Sequence, residues 1–436
     1  MSKPAIPFLR SWDPVPAEYR RNFRHLYFDT AWFGVLSASA VSFVTVYATR
    51  QGANAFQLGL LSAGAAFISL LFTLPTGRWL EGQSTDSAAF WAAAAHRFFY
   101  LLWIPLPWLA SAETQIWVLI GLNLLMSIPG TVLAVSFNAL FADSVPPEWR
   151  GRVVGIRNAL LSVTFILVSL LCGFILDRVP FPTGYQIVFG IGVLGAAMST
   201  AHLRFVHPPT TQAGRPRTGR SLGDMAVPGR FRAAVDGLRP SAGLRFLRNL
   251  QLRSLRPMIL TGPFGRLVAV IFAFYMAVQL AIPVFPLHWV NNLHLTDREI
   301  GLGTAVFYVA VFLGSIQLGP LARRYGHHRL TAIGAILMSA YPGIMAPARG
   351  LWLYLAASFV GGLGWSLVGG SLTNYVLEQI PSDHRPAYLA WYNLALNAAL
   401  LSGSLLGPLV ADVVSIPGAL GLFAVLRLVT ALAILR

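Results

Sequence analysis

Twelve apolar runs, most of them close to the length that crosses a membrane, divide this chain and leave it few ways to fold. A bilayer core takes about 20 mostly apolar residues as a helix. Inside it every backbone N–H and C=O has to be paired within its own segment, so runs of this kind fold as helix bundles. They cover 26–48, 56–74, 88–109, 116–141, 153–176 and 185–203 in the first half, then 266–288, 300–321, 330–346, 351–377, 388–410 and 417–435 in the second. The expectation is an all-α polytopic membrane protein with twelve transmembrane helices in two six-helix bundles. Composition agrees: 56% of residues are hydrophobic and 11% charged, against roughly a quarter charged in soluble domains. Many of the 40 glycines sit inside the runs, as at Gly361, Gly362 and Gly364, where small residues let helices pack closely. The single cysteine, Cys172, lies mid-run, which leaves neither a disulfide framework nor a cysteine metal site. The first 25 residues are polar, carry arginines and lack a small-residue cleavage site behind a short apolar core, so no signal peptide is expected.

The polar stretch 204–265 separates residues 1–203, an N-terminal six-helix bundle, from residues 266–436, a C-terminal one. Lys and Arg near span ends stay on the cytoplasmic side. The leading segment carries Lys3, Arg10, Arg20, Arg21 and Arg24, and loops on the same side carry Arg78, Arg150, Arg152, Arg323, Arg324 and Arg329; the opposite loops offer little beyond Arg50, Arg178 and Arg349. Both termini and the linker are therefore expected on the cytoplasmic face of a cell inner (plasma) membrane. The net charge of +16 then reflects topology, and no nucleic-acid partner is expected. Within the linker Leu244, Leu247 and Leu250 recur at helical spacing with Arg245, Arg248 and Arg253 off that line. That pattern suits a helix lying on an anionic membrane surface and equally a solvated basic tether.

The two halves repeat one another. Residues 145–179 overlay 380–414 without a gap at an offset of 235, pairing Pro146 with Pro381, Arg150 with Arg385, Asn158 with Asn393 and Asp177 with Asp412. A second match pairs Leu58, Gly59 and Leu60 with Ile300, Gly301 and Leu302, and Gly77 with Gly319. Twelve spans in two parallel repeats joined by a long linker resemble the major facilitator superfamily of secondary transporters. Its loop signature is split here. Gly77 and Glu81 are followed by Gly82, Gln83, Ser84 and Thr85 in place of a basic cluster, whereas Gly319, Arg324, Gly326 and Arg329 keep the glycines and basics with Arg323 at the acidic position. Pro146 to Gly155, with Arg150 and Arg152, is similar to the family's fourth-to-fifth loop, and Pro381 to Tyr388, with Arg385, to its counterpart. The resemblance implies a cytoplasmic gate at these residues, with Gly77 and Gly319 in close helix contacts and Glu81 at a helix N-terminus or paired with Arg150 or Arg152. The plainer alternative is that they end helices and orient the chain.

Ionisable groups inside hydrocarbon cost about 2.5 to 3.5 kcal/mol each on insertion scales, so each is a functional candidate. Asp29 lies at the head of the first span, His96 and Arg97 in the third, Arg157 in the fifth and Arg427 in the twelfth. Asp29, paired with Arg97 or Arg157, is a candidate for proton coupling; its alternative is an N-terminal cap of span one. Adjacent residues sit about 100° apart on a helix, so His96 and Arg97 face different walls, and Arg97 is expected to face inward. His96, Asn123, Gln279, Gln317 and Asn397 are candidates for the lining of a substrate cavity. Asn158 and Asn393 read as structural hydrogen-bonders between helices. No catalytic set, phosphate loop, cofactor motif or metal-ligand spacing is present, so neither an enzyme nor a cofactor is expected.

The resemblance implies a secondary transporter that binds a small-molecule solute near the midplane, works as a monomer in the lipid bilayer and cycles by alternating access, with protons as a coupling ion and export favoured by the aromatic, apolar spans. The alternative is a membrane sensor or scaffold that keeps the fold without transporting. The orientation is directly testable. In a Cys172→Ala background, a cysteine at Thr218 should stay unlabelled by an impermeant thiol reagent in intact cells and react once the cells are opened; reaction from outside would invert the topology.

Overall fold

The computed structural model describes residues 17–80, 83–208, 260–380 and 385–435. Regular structure in these residues is helical. Helix α1 runs from Ala17–Leu36 through a π-helical stretch, Ser37–Val41, into Ser42–Arg50; α2 is Ala55–Leu80, α3 Thr85–Leu101, α4 Ala112–Ser144, α5 Pro147–Arg178 and α6 Thr183–Leu203. In the second half α7 comprises Pro263–Ala281, a break, Phe285–Leu287 and a π-helical stretch His288–Asn292. The continuous stretch Asp297–Met345 holds two spans, α8 (297–325) and α9 (327–345), because the chain turns at Gly326, whose φ of 77° is open to glycine at no steric cost. Helices α10 (Leu351–Glu378), α11 (Arg385–Val414) and α12 (Ile416–Leu435) complete the twelve. Glu81 and the leucine–arginine pattern of the linker lie outside the described residues.

Local chemistry explains several ends that the hydropathy runs misplace. The third run extends to residue 109, but α3 stops at Leu101 and only a single turn, Leu106–Leu109, follows. Pro105 and Pro107 lack the amides that would extend it, and a proline disfavours helix in the residue before it. Arg150 and Arg152, expected in a loop, stand in the first turns of α5, which Pro147 starts from the first helical position. Helix α8 begins on a capping box: the Thr296 hydroxyl accepts the Glu299 amide at 3.2 Å, and the Glu299 carboxylate accepts the Thr296 amide at 2.8 Å.

The helices alternate direction between a linker end, where the Asn22 side-chain amide donates to the His207 carbonyl at 2.7 Å, and a far end, where α1 meets the start of α8. Large apolar side chains such as Trp91, Leu167, Phe174, Trp352 and Val425 stand exposed around the outside, a surface that suits lipid. Between the bundles α2 packs along α11 and α5 along α8. These seams close at glycine. A Cβ on Gly59 would lie 2.7 Å from the Ser404 carbonyl oxygen, and one on Gly301 2.6 Å from that of Ser169, with Gly173 against the same face. At Gly319 the expected close contact is not seen: among the described residues a Cβ there would meet only the Arg323 guanidinium at 3.7 Å. Gly77 stands in α2, with its surroundings outside the described residues. Repeat equivalence reveals that two glycines occupy matching sites, but not which of them has a neighbour.

Gly59→Leu and Gly301→Leu should each cost about 1 to 3 kcal/mol through overpacking, while Gly319→Leu should stay within about 0.5 kcal/mol. Thermal unfolding of the purified variants in detergent reads the difference, and an equal loss at all three positions would contradict these contacts.

Candidate functional site

Two irregular helices face each other across the seam. In α1 the π-helical turn widens the backbone, and the Ser42 hydroxyl answers the Ser37 carbonyl at 2.8 Å. In α7 Pro283 lacks an amide, so the helix stops at Ala281 and resumes at Phe285. π-Bulges and broken spans concentrate at functional sites in membrane proteins. Between them lies a cavity of about 250 Å³, lined by Ser42 and Thr45 of α1, Ser62 of α2, and Ile282, Phe285, Trp289 and Thr304 of the other bundle. It is mainly apolar, with hydroxyls at its edges.

The far end of this cavity is shut. Arg50 pairs with Asp297 at 3.1 Å and donates to the Leu295 carbonyl at 2.6 Å, Arg298 lies 3.6 Å from Asp177, and the rings of Phe165 and Tyr308 stack with centroids 3.8 Å apart. Val46 of α1 joins an apolar cluster of the C-terminal bundle there, and Leu287 joins one of the N-terminal bundle. Toward the linker end the buried cluster around Phe23, Leu133 and Phe141 belongs to the N-terminal bundle alone. None of these pairs is visible in sequence, since Arg50 and Asp297 stand 247 residues apart.

A second polar feature lies within the N-terminal bundle. Asp29 is completely buried, 3.8 Å from Arg97 of α3 and 3.9 Å from Arg157 of α5, and it accepts the Ser199 hydroxyl at 2.6 Å. Arg97 also donates to Thr200 at 2.8 Å, and Arg157 donates to Thr30 at 2.6 Å with its guanidinium over the Phe137 and Phe141 rings. Four helices, α1, α3, α5 and α6, thus share one charged cluster. The capping alternative fails, because α1 begins at Ala17, some three turns before Asp29. Among the described residues Arg427 has no such carboxylate. It lines a separate cavity of about 240 Å³ inside the C-terminal bundle, beneath Phe285 and Trp289.

A model of the Major Facilitator Superfamily matches residues 30–274 and 267–436. The chain belongs to the major facilitator superfamily. Among curated relatives it is 26% identical over 159 residues to the quinolone resistance protein NorA of Staphylococcus aureus. That match spans 35% of this chain and 41% of the relative's own length. Among solved structures, a bacterial homologue of the iron transporter ferroportin in its inward-facing state superposes with a TM-score of 0.70 at 13% identity, covering 95% of this chain and 99% of that one. The outward-facing state of such a homologue, with soaked iron, gives 0.58 at 12% identity over 94% and 97% of the two chains.

Within this family fold, the predicted cavity residues stand as follows. His96 binds the Met126 carbonyl at 2.8 Å, Asn123 donates to the Leu61 carbonyl at 2.7 Å and Gln279 donates to the Ser404 hydroxyl at 2.8 Å, so these three tie neighbouring helices together. Asn397 donates to its own helix at the Asn393 carbonyl, and Gln317 is exposed. All five are absent from the walls of the two cavities. Helix–helix ties cost less than an unpaired amide in hydrocarbon, which is why amides in spans so often serve them. Of the gate residues, buried Arg150 caps α4 by donating to the Ala142 and Val145 carbonyls at 3.0 and 3.1 Å. Exposed Arg152 lies over the Trp149 ring, and exposed Arg324 over Tyr325. The side chain of Arg385, in the first turn of α11, lies outside the described residues. The cavity walls that sequence reasoning missed are aromatic, and aromatic residues are spread through every span, so no pattern marked Trp289 or Phe285.

Arg50→Gln should loosen the far end. A partly buried pair reinforced by a carbonyl contact falls near the top of the range for exposed pairs, about 1 kcal/mol or a fivefold population shift. A cysteine at Ser62 in a Cys172→Ala background should then label from the far side about fivefold faster; an unchanged rate would show that the pair does not hold that end shut.

Proposed function

We propose that this protein is a secondary transporter that moves a small amphipathic solute across the cell membrane by alternating access, in the direction of export, with the linker end facing the cytoplasm. The observation that carries this reading is the seam cavity, which sits where the π-helical stretch of α1 meets the break in α7 and is shut at its far end by contacts between the bundles. A site between two bodies that can rock on smooth glycine seams is the physical requirement for alternating access. Apolar walls with a few hydroxyls suit a solute whose surface is largely hydrocarbon. The partial similarity to a quinolone resistance protein supports export of such compounds. The arginine-rich linker and loops support the orientation.

Proton coupling belongs to the same proposal, with Asp29 as the carrier. A proton on Asp29 would leave the Arg97 and Arg157 guanidiniums facing each other without a countercharge, so loading requires a conformation in which one of them has moved. Helix α5 is the element placed to move it, since it carries Arg157 at one end and packs on α8 across the seam. Reconstituted vesicles test both levels. Wild type should accumulate an amphipathic dye against its gradient when a proton gradient is imposed, and Asp29→Asn should lose accumulation while downhill exchange persists. Uphill transport of normal pH dependence by Asp29→Asn would remove Asp29 from coupling. No flux of any solute by wild type, in a screen spanning sugars, amino acids, organic ions and toxic amphiphiles, would favour the sensor or scaffold reading.

A further inference from the structure

The cavity inside the C-terminal bundle is a largely apolar space with a cation in its wall. Arg427 is 3% exposed. Its Nε donates to the Ala277 carbonyl at 3.1 Å, and its terminal nitrogens to the Met338 and Val278 carbonyls at 3.2 and 2.6 Å. A guanidinium has five N–H groups, so two of them have no acceptor among the described residues. The Trp289 indole nitrogen, on the same cavity wall, is buried and makes no well-formed hydrogen bond, with the Tyr341 hydroxyl as the acceptor beside it. The rest of the lining is aromatic, aliphatic or small, with Phe285, Tyr341 and Trp365 among its aromatic faces and no carboxylate among its residues.

This arrangement differs from the cluster around Asp29, where a carboxylate is built into the protein. Three carbonyls spread part of the Arg427 charge but cannot neutralise it. A buried cation and a buried indole N–H that share one cavity present an unmet demand for an acceptor, and an anionic one most of all. Ile282, Phe285, Trp289 and Thr304 line both cavities, so a ligand in the seam stands next to this one. At about 240 Å³ the space is small for a drug-sized molecule. We infer that this cavity binds a small aromatic carboxylate, with the anionic group on Arg427 and the Trp289 indole N–H and the ring among Phe285, Tyr341 and Trp365. It rests on the transporter reading and narrows its solute to an amphipathic organic anion.

The test compares 2-naphthoate with 2-naphthamide, which keeps the ring and removes the charge. Binding is followed on the full-length purified protein by tryptophan fluorescence or calorimetry. Wild type should bind naphthoate at least about tenfold more tightly, the scale of one charge-assisted hydrogen bond. Arg427→Gln should bring the ratio of the two affinities close to one. Because Arg427 also caps the broken end of α7, that variant can fail to fold, so Trp289→Phe serves as a second arm: it leaves the cap intact and should lower the ratio by about threefold or more. Equal affinities in wild type, or an unchanged ratio in folded Arg427→Gln, would overturn the inference. Naphthoate that binds with the expected ratio while wild-type vesicles carry no solute of any class would defeat the transporter reading and leave the site standing. Flux of naphthamide with no preference for the anion would do the reverse.

Discussion

A carbonyl that loses its helical partner in hydrocarbon has no water to turn to, and leaving it unsatisfied costs several kcal/mol. Much of this protein's architecture follows from how such carbonyls are answered. At the π-helical turn of α1 the Ser37 carbonyl keeps the Ser42 backbone amide and takes the Ser42 hydroxyl as well. At the end of α4, Arg150 reaches back to the Ala142 and Val145 carbonyls. At the break of α7, Arg427 of α12 reaches across to Ala277 and Val278. A cation at a helix C-terminus also meets the negative end of the helix dipole. The breaks that open space for a solute are therefore tolerable only because a polar side chain from the same or a neighbouring helix stands over them.

The two bundles solve the same problem in opposite ways. The N-terminal bundle buries two arginines with their carboxylate and three hydroxyls, those of Thr30, Ser199 and Thr200, in one cluster that binds four helices to each other. Charge and countercharge are both internal there. The C-terminal bundle buries one arginine against backbone carbonyls and leaves an aromatic cavity beside it. A duplicated fold has thus become chemically unequal, with a charged cluster in one half and an arginine beside an aromatic cavity in the other.

Much of the fold was legible in the sequence because lipid imposes a single rule along the chain: spans must be long, apolar and helical. Hydropathy alone located twelve helices, and the gapless repeat around Pro146 and Pro381 placed them in two bundles. The cost of a buried charge likewise singles out Asp29, Arg97, Arg157 and Arg427 from hydropathy alone, because an ion in hydrocarbon is conspicuous wherever it occurs. The site's surroundings were not legible. Asn123 and Gln279 have the same composition whether they face a cavity or a neighbouring helix, and only packing sends them to the Leu61 carbonyl and the Ser404 hydroxyl.

The sequence by itself determined the helical class, the twelve spans, the two-fold internal repeat and the few charges that must find partners, since each of these is set by local composition against the solvent. Only the tertiary structure decided which partners they find. That Arg97 and Arg157 share Asp29, that Arg50 meets Asp297, and that Gly59 and Gly301 rather than Gly319 form the tight seams are outcomes of how helices far apart in sequence are brought side by side. Contact across a seam depends on the rotation of each helix about its own axis, which the whole packed bundle sets and no single span encodes.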